Sequence, residues 1–278
     1  MADGRIIIDT NIDSSGAEKD VKSLSGKLSG IAKTGLTAFT GAIAAAGTAI
    51  GGLATIATKY NSQMEDYFAN FTVLLGSATE ATKHVEDLKD FAAKTPFEMA
   101  GLADASKQLL SFGIGVEDIM PDLQMLGDIS LGNQERFKGL ALVFAQVASA
   151  GKLTGQDLLQ FINQGFNPLQ AIAEKTGKSM LELKEEMSQG KISYEMVAEA
   201  MKSATSEGGK FYQGMEVQSK TLSGMWSTLK DDTMSLIGDA FKPFSETLKN
   251  SVMPALQNIV KGMEEAFAKP EIQTSIKI

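Results

Sequence analysis

Between Lys33 and Lys59 the chain carries no charge: TGLTAFTGAIAAAGTAIGGLATIAT fills Thr34–Thr58. Any fold of this chain must hide this stretch or use it. Its 25 residues are enough to cross a hydrocarbon core. Composition weakens that reading. Eight are alanine, five glycine and six threonine, and only Leu36, Phe39, Ile43, Ile50, Leu53 and Ile56 are large and apolar. Membrane insertion is driven mainly by Leu, Ile, Phe and Val.

Spacing says more. Leu36, Phe39, Ile43, Ala46, Ile50, Leu53 and Ala57 alternate by three and four residues, and Tyr60, Met64, Tyr67, Phe71 and Leu74 continue the row. A sustained alternation of this kind is the signature of a coiled coil. Gly47 and Gly51 form a GxxxG pair that lets helices approach closely. Each glycine costs about 1 kcal/mol in a helix interior, so the helix needs a partner. Three readings stand: a core helix of its own domain, a membrane span, or a helix that meets copies of itself. The seam from Leu36 to Leu74 favours the last, and its residues are the candidate self-association site.

Little chemistry is available elsewhere. The chain has no cysteine, which removes disulfides, thiolate nucleophiles and zinc–thiolate sites. Its one histidine, His84 in TEATKHVEDLKDF, cannot build a multi-histidine metal site and reads as a solvated residue on a helix surface. Glu65-Asp66, Glu86-Asp87, Asp231-Asp232 and Glu264-Glu265 are acidic neighbours. Adjacent helical residues do not face each other, so these pairs read as solvated faces and not as acid/base machinery. No phosphate loop, calcium loop or His-Glu-x-x-His motif occurs. A net charge of −8 argues against specific nucleic-acid binding, which needs clustered cations. No catalytic, cofactor-binding or metal residue is assigned, no enzyme activity is expected and no small-molecule substrate is implied. Trp226 reads as a packing residue.

The organisation reads as mainly α, in four parts. Residues 1–13 hold a short strand, RIIIDTNID, as an N-terminal arm. Residues 14–76 form the long helix with the uncharged heptad segment. Residues 77–215 hold a compact array of short helices. Residues 216–278 give long amphipathic helices that Pro243 and Pro254 break or kink.

The array is marked by start and stop signals. Thr95-Pro96-Phe97-Glu98 reads as a capping box with proline at the first helical position. Pro121 stands near the start of another helix. Thr154, Asn167-Pro168, Ser179 with Glu182, and Ser193 open further helices, while Gly113, Gly151, Gly165, Gly177, Gly190 and Gly208-Gly209 close them. The N-terminus lacks the basic start and apolar core of a signal peptide, so synthesis in a cytoplasm is expected.

The order FAAKTPFEMAGLADASKQLLSFGI, LQMLGDISLG, LALVFAQVASAGKLTGQDLLQFINQGFNPLQAIAEKTG, ELKEEMSQGKISYEMVAEAM and GGKFYQGMEVQSKTLSGMWSTLKDD resembles the N-terminal domain of tape measure proteins of long-tailed bacteriophages and prophages, over roughly residues 60–238. The positions that carry it include Thr95, Pro96, Phe97, Gly113, Asp128, Gln146, Gly151, Gly165, Gly190 and Gly224. The resemblance implies a structural protein made in the bacterial host cytoplasm and placed in the lumen of the tail tube. It implies a homo-oligomeric bundle, tail-tube and tail-tip proteins as partners, a part in tail assembly and length, and help in carrying the genome across the host envelope, with the host membrane as a contact on ejection. The motif positions carry caps, turns and packing, and no cofactor. The alternative is a membrane-active, channel-forming or toxin-like helical protein that uses residues 34–58.

Overall fold

A computed structural model describes residues 49–247 and, beyond them, Lys249, Asn250, Met253, Pro254, Gln257 and Lys261. The fold of these residues is mainly α, as expected. The expected strand at residues 5–13 lies outside the described residues. The helices are α1 (Ala49–Leu75), α2 (Ala78–Ala92), α3 (Met99–Ser111), α4 (Val116–Ser130), α5 (Gln134–Ala150), α6 (Gly155–Asn163), α7 (Pro168–Thr176), α8 (Met180–Ser188), α9 (Tyr194–Thr205), α10 (Gly214–Ser219), α11 (Leu222–Ala240) and α12 (Lys242–Thr247). They fall into two units. One is Gln63–Thr233, and the other joins Met1–Ser62 to Met234–Ile278.

Local chemistry sets most helix ends. Thr154 and Asp157 form a capping box at α6: the Asp157 N–H donates to the Thr154 hydroxyl oxygen at 3.3 Å, and the Thr154 N–H donates to the carboxylate at 3.0 Å. Ser179 and Glu182 repeat it at α8, where the carboxylate takes the Ser179 N–H at 2.8 Å. These hydrogen bonds hold the Glu182 carboxyl below the usual carboxylate range. Asn167 caps α7 ahead of Pro168, and Ser193 caps α9. Gly151 and Gly177 end α5 and α7 in the left-handed region that a residue with a Cβ avoids. Pro243 stands in the first turn of α12, just past the break after Ala240.

Two expected starts are corrected. Thr95 does not cap α3. Its hydroxyl turns back to donate to the Phe91 carbonyl at 2.9 Å, and α3 begins at Met99 behind Glu98, which makes no side-chain cap. Helix α4 begins at Val116, so Pro121 lies inside it. The proline removes only the bond to the carbonyl four residues back, that of Glu117, an exposed residue that water can reach. Glu117 and Asp118 in the first turn favour the positive end of the helix dipole.

Helix α5 is the centre of the Gln63–Thr233 unit. It touches α3, α4, α6 and α9. Phe137, Leu140, Ala141, Val143, Phe144, Ala145 and Val147 are all fully buried on it. Helix α9 lies on α7 and α4, α8 on α7, α2 on α3, and α10 on α4. The end of α5 is tied to the start of α9 by two backbone bonds, Leu153 N–H to the Ile192 carbonyl at 2.9 Å and Tyr194 N–H to the Gly151 carbonyl at 3.2 Å.

His84 corrects another expectation. It is 4% exposed, and its Nε2 lies 2.6 Å from the Ser106 hydroxyl of α3. The edge-on ring of Phe71 stands 4.7 Å from the imidazole. Burial pushes the imidazole pKa down, against the opposing charge of Asp87. His84 is therefore a neutral core residue that ties α2 to α3.

Candidate functional site

The seam residues do not share one environment. Leu36, Phe39, Ile43 and Ala46 lie outside the described residues, as do the side chains of Ile50 and Leu53. Further on, α1 is absorbed by its own chain. Ala57 is fully buried and Tyr60 half-buried. Met64 packs on the core of the Gln63–Thr233 unit, and Tyr67 and Phe71 belong to that core. Leu74 is 39% exposed.

In the unit formed by the two ends of the chain, α1 meets the end of α11. The Tyr60 ring lies against Gly238 so closely that a Cβ there would stand 2.3 Å from Tyr60 Cδ1. Glycine in a helix interior costs about 1 kcal/mol relative to alanine; the seating of the ring offsets it. The Asn61 amide donates to the Gly238 carbonyl and to the Ser245 hydroxyl, each at 3.0 Å. Ile237 and Phe241 are buried on either side of Gly238.

Five of the ten motif positions, Thr95, Pro96, Phe97, Asp128 and Gly224, gather around the C-terminal end of α4. Phe97 is fully buried and stacked on Phe137, with ring centroids 4.4 Å apart. A Cβ at Gly127 would lie 2.3 Å from Met215 Sδ and 3.0 Å from the Phe97 ring, so the glycine lets both side chains rest on the α4 backbone. Asp128, 5% exposed, accepts the Met215 N–H at 2.9 Å and a Gln124 amide N–H at 3.2 Å. Burial raises its pKa, and these two hydrogen bonds oppose that rise.

The residues after Met215 return to the same place. Pro96 and Gln218 crowd Gly132, and Gly224 rests on the backbone of Gln218 and Ser219. The Thr228 hydroxyl reaches the Thr95 carbonyl at 3.4 Å, and Lys230 pairs with Glu98 at 2.7 Å. The remaining motif residues stand elsewhere. Gly113, Gly151, Gly165 and Gly190 are turns with positive φ after α3, α5, α6 and α8. Gln146 is half-buried on α5.

This gathering is a clasp that holds residues 213–233 onto α3 and α4. Replacing Asp128 by alanine should cost about 1–3 kcal/mol, because it strands the buried Met215 N–H. Urea denaturation of the purified protein checks this, and amide exchange at Met215 should rise with it. A stability unchanged within 0.5 kcal/mol, on the order of a neutral surface substitution, would remove Asp128 from the clasp.

Two acids missed by sequence reasoning sit in low-dielectric surroundings. Asp122 of α4 has a buried Oδ2 with no hydrogen-bond partner, and its pKa is pushed up to about 7 by burial and then by Asp118 one turn away. Both acids and burial push the neighbouring Tyr194 phenol up to about 12, burial being the larger cause. Asp231, expected on a solvated face, is half-buried beside Glu98, and burial raises it to about 6. Asp232 beside it is exposed, as expected. Glu264-Glu265 lies outside the described residues.

Trp226 is 51% exposed, so it is only half a packing residue. Among the described residues no group of three or more His, Asp or Glu side chains could hold a metal ion, and no helix is long and apolar enough to cross a membrane. No curated protein and no solved structure matches the chain. Residues 55–242, about two thirds of its length, match the family model described as "Tape measure protein".

Proposed function

The chain belongs to the tape measure protein family, and from that premise we propose that it occupies the lumen of a phage tail tube, where it organises tail assembly and contributes to tail length. The family places it generally as a structural component of a bacteriophage tail. The observation that carries the finer reading is the reach of the family match. It takes in the whole Gln63–Thr233 unit, together with the part of α1 and α11 that meets at Tyr60 and Gly238.

Tail-tube and tail-tip proteins are the proposed partners, along with copies of the chain itself along the Leu36–Tyr60 part of the row, since Tyr67 and Phe71 are taken up by the chain's own core. The uncharged stretch supports a further role at the host membrane during ejection. It is free of charge from Thr34 to Thr58, yet it is poor in large apolar residues. A segment of that kind can be held in a bundle first and offered to lipid later. The motif positions of the clasp serve packing and supply no reacting group.

Deletion of the gene from its phage or prophage, followed by electron microscopy of the induced lysate, tests the reading. Tails should be missing or uncontrolled in length, and complementation should restore them. Antibody against the chain should label the interior of intact tails only after they are opened. Normal tails that lack the chain would overturn the proposal.

A further inference from the structure

Where the structure describes side chains of the seam up to Tyr60, the row is already covered, and Tyr60 meets the chain's own α11. Ala57 is fully buried, and Tyr60 is seated on Gly238. Asn61, one residue past Tyr60, bonds to both Gly238 and Ser245 at 3.0 Å. An amide that reaches a main-chain carbonyl and a hydroxyl on the facing segment fixes one register of a helix pair. Ile237 and Phe241, one residue before and three after Gly238, are buried at 2% and 4% exposure. The contact thus has what a helix–helix interface needs: a glycine for close approach, buried apolar flanks and one polar register pin.

We infer that the segment from Gly238 to Ser245 covers, within one chain, the face of α1 that a second copy would use, and that self-association along α1 requires this cover to come off. The inference rests on the self-association reading of the seam. Its physical logic is competition. The cover is tethered to its target, so it acts at an effective concentration on the order of millimolar and prevails in dilute solution. A second copy offers a longer row, because Ala57 and Tyr60 continue the spacing of Leu36, Phe39, Ile43, Ala46, Ile50 and Leu53. Crowding of copies side by side favours that longer row. The chain would therefore be held apart when free and pair when concentrated.

The test is light scattering on the full chain across a wide concentration range. Gly238→Leu puts a side chain where the Tyr60 ring sits and leaves a helical position that leucine tolerates. It should move the midpoint of association to at least tenfold lower concentration, and Ile50→Asp in the same chain should cancel the gain. The chain has no cysteine, so Asn61→Cys with Ser245→Cys can be joined by a short thiol-reactive cross-linker. The linked protein should resist association at least tenfold more than its unlinked form.

If Gly238→Leu changes nothing and the linked protein associates as readily as the wild type, the cover plays no part and the inference is overturned, with the seam reading intact. Mass gained by Gly238→Leu that Ile50→Asp does not suppress is aggregation off the seam and counts against the inference; the linked form then supplies the independent reading. If no variant associates at any concentration, the seam reading itself fails and the inference falls with it.

Discussion

Phe97→Ala should cost the Gln63–Thr233 unit about 3–5 kcal/mol, the range for truncating a fully buried phenylalanine. Phe97 has no exposed surface and stacks on Phe137 at 4.4 Å. It also lies over Gly127 alongside Met215, so its removal leaves a hole shared by the turn before α3, by α4, by α5 and by α10. The surroundings cannot close that hole, because α4 and α5 are held by their own packing. A loss of this size is a large part of the roughly 5–15 kcal/mol that holds a typical domain together. The melting temperature should fall by about 10 °C, at roughly 2–4 °C per kcal/mol for a unit of this size. Phe97→Leu keeps most of the volume and should cost about 1.5 kcal/mol or less. Thermal and urea unfolding followed by circular dichroism reads both. A Phe97→Ala protein within 1 kcal/mol of wild type, well short of the cost of a typical core truncation, would mean that the core closes over the gap.

The second large effect has the opposite sign. Asp122→Asn should stabilise the protein at pH 8 by about 2 kcal/mol, and the gain should vanish by about pH 4. The folded protein raises the Asp122 pKa from 3.8 to about 7. The folded state therefore holds the proton more tightly than the unfolded chain does. Wild-type stability contributed by this site is fully present below pH 3.8 and is lost as pH rises to 7, where the buried carboxylate becomes charged beside Asp118. Asparagine carries no charge at any pH, so it escapes the penalty. A shift of about three units would convert to about 4 kcal/mol. The residue is only partly enclosed, which halves the expectation. Unfolding free energies of both proteins at pH 4, 6 and 8 check the slope. A variant equally destabilised at all three values would show that the carboxylate holds a structural bond and does not sit unpaired.

The helix boundaries show how far sequence reasoning reaches. Thr154, Asn167-Pro168, Ser179 with Glu182, and Ser193 each open the helix expected of them, and Gly151 and Gly177 each close one. Each of these signals acts between residues no more than four apart, so the partners are visible in the sequence. Thr95-Pro96-Phe97-Glu98 looks the same and behaves otherwise. The Thr95 hydroxyl has a competing acceptor at Phe91, its carbonyl is approached by Thr228, and Glu98 is engaged by Lys230. Two of those three partners lie more than 130 residues away, and a local pattern carries no trace of them.

Burial of polar groups is harder to read, since the groups that cover them come from other elements. His84 sits in a run of Glu, Asp and Lys that suggests a wet surface, yet it faces Ser106 and Phe71. Helical periodicity places His84 on one stripe with Ala81, Val85, Leu88 and Ala92, all of them buried; that was the available signal. Asp122 shows no such mark, because the helices packed on α4 come from elsewhere in the sequence. The gathering of Phe97, Asp128 and Gly224 was equally hidden, although each position was singled out by the family pattern.

The sequence by itself determined a helical chain cut into short pieces, their caps and stops, the absence of cysteine chemistry, and the family. The helices, their caps and the missing cysteine follow from residue type and near-neighbour spacing; the family follows from the resemblance of the motifs, matched over residues 55–242. Only the tertiary structure decided which faces are used up: that Tyr67 and Phe71 enter a core, that Tyr60 rests on Gly238, and that Asp128 clasps Met215. A heptad row states that a helix has an apolar face and leaves its partner open. The partner is chosen by surfaces brought together across more than a hundred residues, and that choice exists only once the chain has folded.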